Sequence, residues 1–130
     1  MTLEGGCSIF VEGIRVFAHH GVLPEEKTLG QEFVIDVELE LSGVPGTDEL
    51  SSTVDYALVA QGVAEAAVRN RYDLIETLAA QIASGLLEEY GGVATASVTV
   101  RKPEAPMPVP VSLVAARVVL KRPRGGDDRS

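Results

Sequence analysis

The sequence predicts an α+β domain in which a four-stranded antiparallel sheet carries two helices on one face. Three observations predict it. From Phe33 to Leu41, apolar residues alternate strictly with Asp36, Glu38 and Glu40, interrupted only by Val34, which is the period of a strand with one face buried and one wet. The middle of the chain instead repeats apolar residues at helical spacing, in two stretches. Two more alternating runs follow, without the strand–helix–strand rhythm of a parallel sheet. The order is β-β-α-α-β-β.

Each element has its own signal. In the first strand Ile9 and Val11 alternate, then Ile14 and Val16 do so in the opposite phase, and a slip at Gly13 reads as a β-bulge. A loop is expected over Gly21–Gly30, around Pro24. The second strand spans Phe33–Ser42. Asp55 is the expected N-cap of a helix running to about Arg69, whose small residues Ala57, Ala60, Ala64, Ala66 and Ala67 allow close packing. A second helix begins after Asp73, with Leu74, Ile75, Leu78, Ala79, Ile82, Leu86 and Tyr90 on one stripe, and Gly91-Gly92 stops it. Ala96, Val98 and Val100 mark the third strand; Val114, Ala116, Val118 and Leu120 mark the fourth. One such sheet has two open edges and a half-polar second face. Oligomerisation through the edges is therefore expected, with that second face lining a channel.

Composition narrows the function classes. The 130 residues are one domain's worth, 45% apolar and 23% charged, and carry a net charge of −8. An acidic chain of this kind lacks the basic stripe that phosphate neutralisation needs, so nucleic acid is not an expected partner. The charge is uneven: residues 1–100 hold sixteen acids and four bases, residues 101–130 seven bases and three acids. No apolar run approaches the roughly 18 residues of a membrane span. The lone cysteine, Cys7, and the absence of a basic leader make a cytoplasmic protein the expectation. A single domain is expected over residues 1–122, with a flexible polar tail over 123–130.

A few residues are candidates for chemistry. Lys102 shares strand parity with Ala96, Val98 and Val100 and precedes Pro103. A lysine on the buried side is desolvated, which suits proton transfer; alternatively the strand ends before it and its amine reaches water. Glu76 lies at the edge of the apolar stripe in the second helix's first turn. Asp73-Leu74-Ile75-Glu76 fits an acidic capping box, while a carboxylate there could also accept paired N–H donors from a guanidine-like ligand edge. Tyr56 opens the first helix, where a tyrosine is ordinarily a packing residue with a wet hydroxyl. Glu25 and Glu26 sit in the Gly21–Gly30 loop, where acids are ordinarily solvated. His19 and His20 point to opposite faces, and with one distant cysteine they make a poor metal site.

Four segments, in order, carry a resemblance. His20-Gly21-Val22-Leu23-Pro24-Glu25-Glu26-Lys27-Thr28-Leu29-Gly30-Gln31-Glu32-Phe33 resembles the signature loop of the dihydroneopterin aldolases. Thr53-Val54-Asp55-Tyr56, Leu74-Ile75-Glu76-Thr77-Leu78-Ala79 and Val100-Arg101-Lys102-Pro103-Glu104-Ala105-Pro106-Met107-Pro108 are similar to the same family, over roughly residues 8–122. The resemblance implies the tunnelling fold, whose β-β-α-α-β-β subunits close edge to edge into a four-membered barrel, with two rings commonly stacked as an octamer. It implies a pterin site between subunits. There Glu76 anchors the amino-pyrimidine edge, assisted by Leu74 and Ile75 and by Val54, Asp55 and Tyr56 of the neighbouring subunit. Lys102 and Tyr56 would be the proton-transfer residues, and Glu26 the acid near the substrate's hydroxylated side chain. The implied reaction is retro-aldol cleavage of 7,8-dihydroneopterin in folate synthesis, with no metal, cofactor or Schiff base. Met107–Leu113 departs from many members of the family, which have an acidic or aromatic residue before the last strand. A dihydroneopterin or dihydroneopterin-triphosphate epimerase and a non-catalytic pterin-binding ring protein are the competing readings.

Overall fold

The computed structural model describes residues 2–123. Its sheet has the strand order β1-β2-β3-β4, every neighbour antiparallel, with β1 Ser8–Ala18, β2 Gln31–Leu41, β3 Val93–Arg101 and β4 Ala115–Lys121. Between them come a short helix α1, Pro24–Leu29, and two long ones, α2 Tyr56–Arg69 and α3 Ile75–Glu89. A single 3-10 turn spans Leu50–Ser52. The expected order and layering hold. The tail expected from residue 123 falls outside the described residues, apart from Pro123.

Strand parity builds the core. Ile35, Val37 and Leu39 of β2 meet Val100, Val98 and Ala96 of β3 in register, and with Phe33 these are at most 1% exposed. On this face α2 covers β1 and α3 covers β3 and β4, contributing Val59, Val63, Leu78, Ala79, Ile82 and Ala83 to the same core. The bulge lies where the phase slip put it: the β1–β2 register shifts between Val11 and Ile14, with Gly13 at φ 75°. Asp36 secures it, its Oδ1 accepting from the Gly13 N–H at 2.8 Å and from Arg101 at 2.8 Å. The Asp55 cap also stands, its carboxylate accepting from the N–H groups of Ala57 (3.0 Å) and Leu58 (3.4 Å).

Two local expectations are corrected. The Gly21–Gly30 segment is not all loop: Pro24 starts α1, where its missing N–H costs nothing, and Gly30 ends it at φ 74°. The Asp73 capping box does not form. The N-cap of α3 is Leu74, without a side-chain cap, because the Asp73 carboxylate turns to Lys27 Nζ at 2.9 Å. No helix among the described residues is long and apolar enough to cross a membrane.

Candidate active site

The site forms where the ends of β1 and β3 meet α1. Lys102 follows β3 directly, its backbone N–H donating to the Val114 carbonyl at 2.9 Å. Parity sends its side chain to the helix-covered face, where only 14% of it is exposed. It is not alone there. Its Nζ lies 2.7 Å from Oε2 of Glu26, itself 6% exposed. The expectation that Glu26 is a solvated loop acid is therefore overturned, because helix α1 turns it inward onto a cation from a distant part of the chain.

Two more hydrogen bonds fix the carboxylate. At the third position of α1, Glu26 reaches back to accept the Leu23 N–H at Oε1, 3.2 Å away. Gln31, at the start of β2, donates its amide Nε2–H to Oε2 at 3.1 Å. Burial opposes ionisation of Glu26. The hydrogen bonds from Lys102, Leu23 and Gln31 and the lysine's charge outweigh it, and the pKa falls below the ordinary 4.5. Gly21 makes room: a Cβ there would meet the Glu26 side chain, with Glu26 Cβ only 2.8 Å away, and its φ of 148° disfavours other residues.

His20 braces this corner from below. It is fully buried; its Nε2–H donates to the Ala67 carbonyl at the end of α2 at 2.7 Å, and its Nδ1 accepts the Tyr72 N–H at 3.1 Å. The ring also stacks on Tyr72, and the Gly21 N–H donates to the Tyr72 carbonyl at 3.0 Å. Both nitrogens are thus satisfied in the neutral ring. Burial lowers its pKa below 6.5 against the Ala67 bond, with the charges of His19 and Lys102 acting in the same direction as burial. His19 instead donates its Nδ1–H to the Lys27 carbonyl at 2.9 Å.

The remaining predicted residues divide by end of the molecule. Ile75 is buried, and Leu74 and Glu76 are exposed at the start of α3. The Asp73–Lys27 pair ties that start to α1, so they share the Lys102 end. No ion pair engages the Glu76 carboxylate among the described residues. Val54, Asp55 and Tyr56 are not brought to Lys102. They begin α2, whose far end touches His20, and Tyr56 to Ala67 spans about 16 Å of helix. Tyr56 is 66% exposed there. Gln31, Gly21 and His20 were not among the predicted site residues. Gln31 had a signal, a polar residue at the parity of Phe33 and Ile35 next to a motif glycine; the roles of Gly21 and His20 depend on contacts across the fold.

The sequence profile of the FolB dihydroneopterin aldolases matches residues 9–119. The chain belongs to the dihydroneopterin aldolase family. A dihydroneopterin aldolase of Methylorubrum extorquens is 40% identical over 116 residues, 88% of this chain and 89% of the relative. Among solved structures, the Burkholderia dihydroneopterin aldolase bound to guanine superposes with a TM-score of 0.71 at 28% identity, covering 90% of this chain and 92% of that one. The Escherichia coli enzyme in complex with neopterin reaches 0.76, covering 88% and 98%; at 23% identity it speaks to the fold. The family's tunnelling-fold subunit is thus the architecture described above.

Proposed function

We propose that the protein cleaves 7,8-dihydroneopterin by a retro-aldol reaction to 6-hydroxymethyl-7,8-dihydropterin and glycolaldehyde, a step of folate synthesis. The observation that carries this reading is the buried Lys102–Glu26 pair in a chain of the dihydroneopterin aldolase family. The chemistry suits the pair. A base takes the proton of the 2′-hydroxyl, the C1′–C2′ bond breaks, and glycolaldehyde leaves. The electron pair passes through C6 to N5, which gains a proton. Protonation of C1′ and loss of the N5 proton then restore the imine, so the proton from the hydroxyl ends on carbon. The pterin is its own electron sink, and the protein need only move protons and bind the ring.

Lys102 and Tyr56 take the proton-transfer roles in this reading. Of three ammonium N–H donors on Lys102, Glu26 engages one, leaving donors for substrate. Glu26 also faces the hydroxylated side chain. The unpaired, exposed Glu76 carboxylate anchors the amino-pyrimidine edge, with Ile75 and Leu74 beside it. Val54, Asp55 and Tyr56 come from a neighbouring subunit in a tetrameric ring, two of which stack as an octamer. Supporting that assembly, the two halves of the site lie at opposite ends of α2 in one chain. Among the described residues nothing pairs with the outer edges of β1 and β4, and Phe10 and Phe17 stand exposed on β1. The compartment is the cytoplasm.

Metal-free protein should release glycolaldehyde from 7,8-dihydroneopterin, and Lys102→Ala should abolish release while pterin binding persists. Folded protein that releases none, or releases it only with added metal, would sink the reading. Turnover of the triphosphate alone would indicate the epimerase. Against that outcome, the bases within the motifs, Lys27, Arg101 and Lys102, already face Asp73, Asp36 and Glu26.

A further inference from the structure

Gln31 is only 7% exposed. The nitrogen end of its amide is identified by chemistry, because only the NH2 group can donate to the Glu26 carboxylate 3.1 Å away. Its other end, Oε1, is buried with no hydrogen-bond partner among the described residues. Buried amide oxygens are rarely left so. The terminal torsion of a glutamine is broad and roughly two-fold, so a half-turn exchanges the two ends. Either orientation leaves one end unpartnered, and the state of Glu26 decides which end faces it. An ionised carboxylate selects the NH2; a protonated carboxyl, now a donor, selects the oxygen.

We propose that Gln31 is a positioning residue for Glu26, holding its carboxylate toward Lys102 through Nε2 and turning its spare Oε1 to it when the carboxyl carries a proton. Glu26 can then accept and return a proton without leaving Lys102, the motion a retro-aldol cycle asks of a group beside the substrate's hydroxyls. This rests on the aldolase reading for its catalytic meaning but not for its geometry. Among the described residues, the charged and titratable groups around Glu26 are Glu25 and Lys27 on its own helix, Lys102 from the end of β3, His19 and His20 from the end of β1, and Arg71 and Asp73 from the α2–α3 connection. Of these only Lys102 contacts the carboxylate.

The test compares Gln31→Met, which keeps bulk without polarity, with the isosteric Gln31→Glu. In Gln31→Met the acid limb of the kcat profile should rise by about one pH unit, as loss of a donor to a carboxylate predicts. Gln31→Glu should raise it further, because two carboxyl groups then share a proton. KM for the pterin should change little, and Gln31→Met should move no limb in a Glu26→Gln background. A lowered Tm with an unmoved limb would overturn the proposal. If the wild type releases no glycolaldehyde, the aldolase reading fails separately, and infrared titration still decides. The Glu26 carboxyl band, assigned by its loss in Glu26→Gln, should titrate higher in Gln31→Met. The Gln31 carbonyl band, labelled with carbon-13, should shift to lower frequency as Glu26 protonates in the wild type. Unshifted bands overturn the proposal.

Discussion

Lys102 and Glu26 are each costly to bury and become tolerable only together. A buried ion pair roughly offsets its own desolvation, so its value shows when one partner is removed. Lys102→Ala strands Glu26, but the Leu23 N–H and Gln31 still serve it. The expected loss is about 1–3 kcal/mol in urea denaturation, below what a wholly abandoned charge would cost. The sign with pH follows from the lowered Glu26 pKa. Its contribution is complete above the ordinary carboxyl value and is lost as pH falls through the folded-state value. His20 works from the other side. Its folded-state pKa lies below 6.5, so the unfolded chain binds its proton first, and stability declines as pH drops below 6.5 toward the folded-state value. Thermal melts across that window should show this slope, and His20→Gln should flatten it while lowering Tm throughout. At Gly21 a methyl group meets Glu26. Gly21→Ala should cost about 1–3 kcal/mol and depress kcat more than pterin binding.

At the scale of elements, the two long helices begin differently. Asp55 caps α2 with two hydrogen bonds, and Asp55→Ala should lower stability by about 1 kcal/mol in chemical denaturation. Helix α3 has no side-chain cap. Glu76→Gln should therefore shift stability by less than about 0.5 kcal/mol while weakening pterin binding, measured by calorimetry. A large stability loss with unchanged binding would return Glu76 to a purely structural role. This difference also marks how far the sequence could be read. The four strands, the bulge at Gly13 and the span of α2 were legible because each rests on local periodicity or a local cap. The side of the sheet taken by Lys102 was legible by parity. Helix α1 was not, since six residues are too few to display a period. Glu26 escaped the residue-level reading for a related reason: its burial depends on a lysine that lies beyond β2, α2, α3 and β3 in the chain. Only the family resemblance picked it out.

The whole molecule gives the uneven charge a place. On the sheet face away from the helices, Asp36 of β2 lies in register with Thr99 and Arg117, and Glu40 with Thr95 and Lys121. Asp36 reaches Arg101 at 2.8 Å. The acids of the first half of the chain and the bases of the last thus share one surface. The proposed division of the site between subunits makes a prediction at this scale. Tyr56→Ala and Lys102→Ala proteins, each inactive alone, should regain activity when unfolded and refolded together. For random pairing, about a quarter of the sites should recover both residues from intact halves. Absence of recovery in mixed oligomers, shown by native mass spectrometry to have formed, would mean that one subunit supplies both.

The bulge at Gly13 reaches further than its one extra residue. Ile9 and Val11 sit opposite Leu39 and Val37, whereas Ile14 and Val16 sit opposite Ile35 and Phe33; both pairs face the helices only because the bulge absorbs the one extra residue between them. Flattening the bulge without removing a residue, as Gly13→Val would by excluding the φ of 75°, would act on the strand as a frameshift acts on a message. Everything before the lesion would be read from the wrong side, with Ile9 and Val11 turned to water and Phe10 driven into the core.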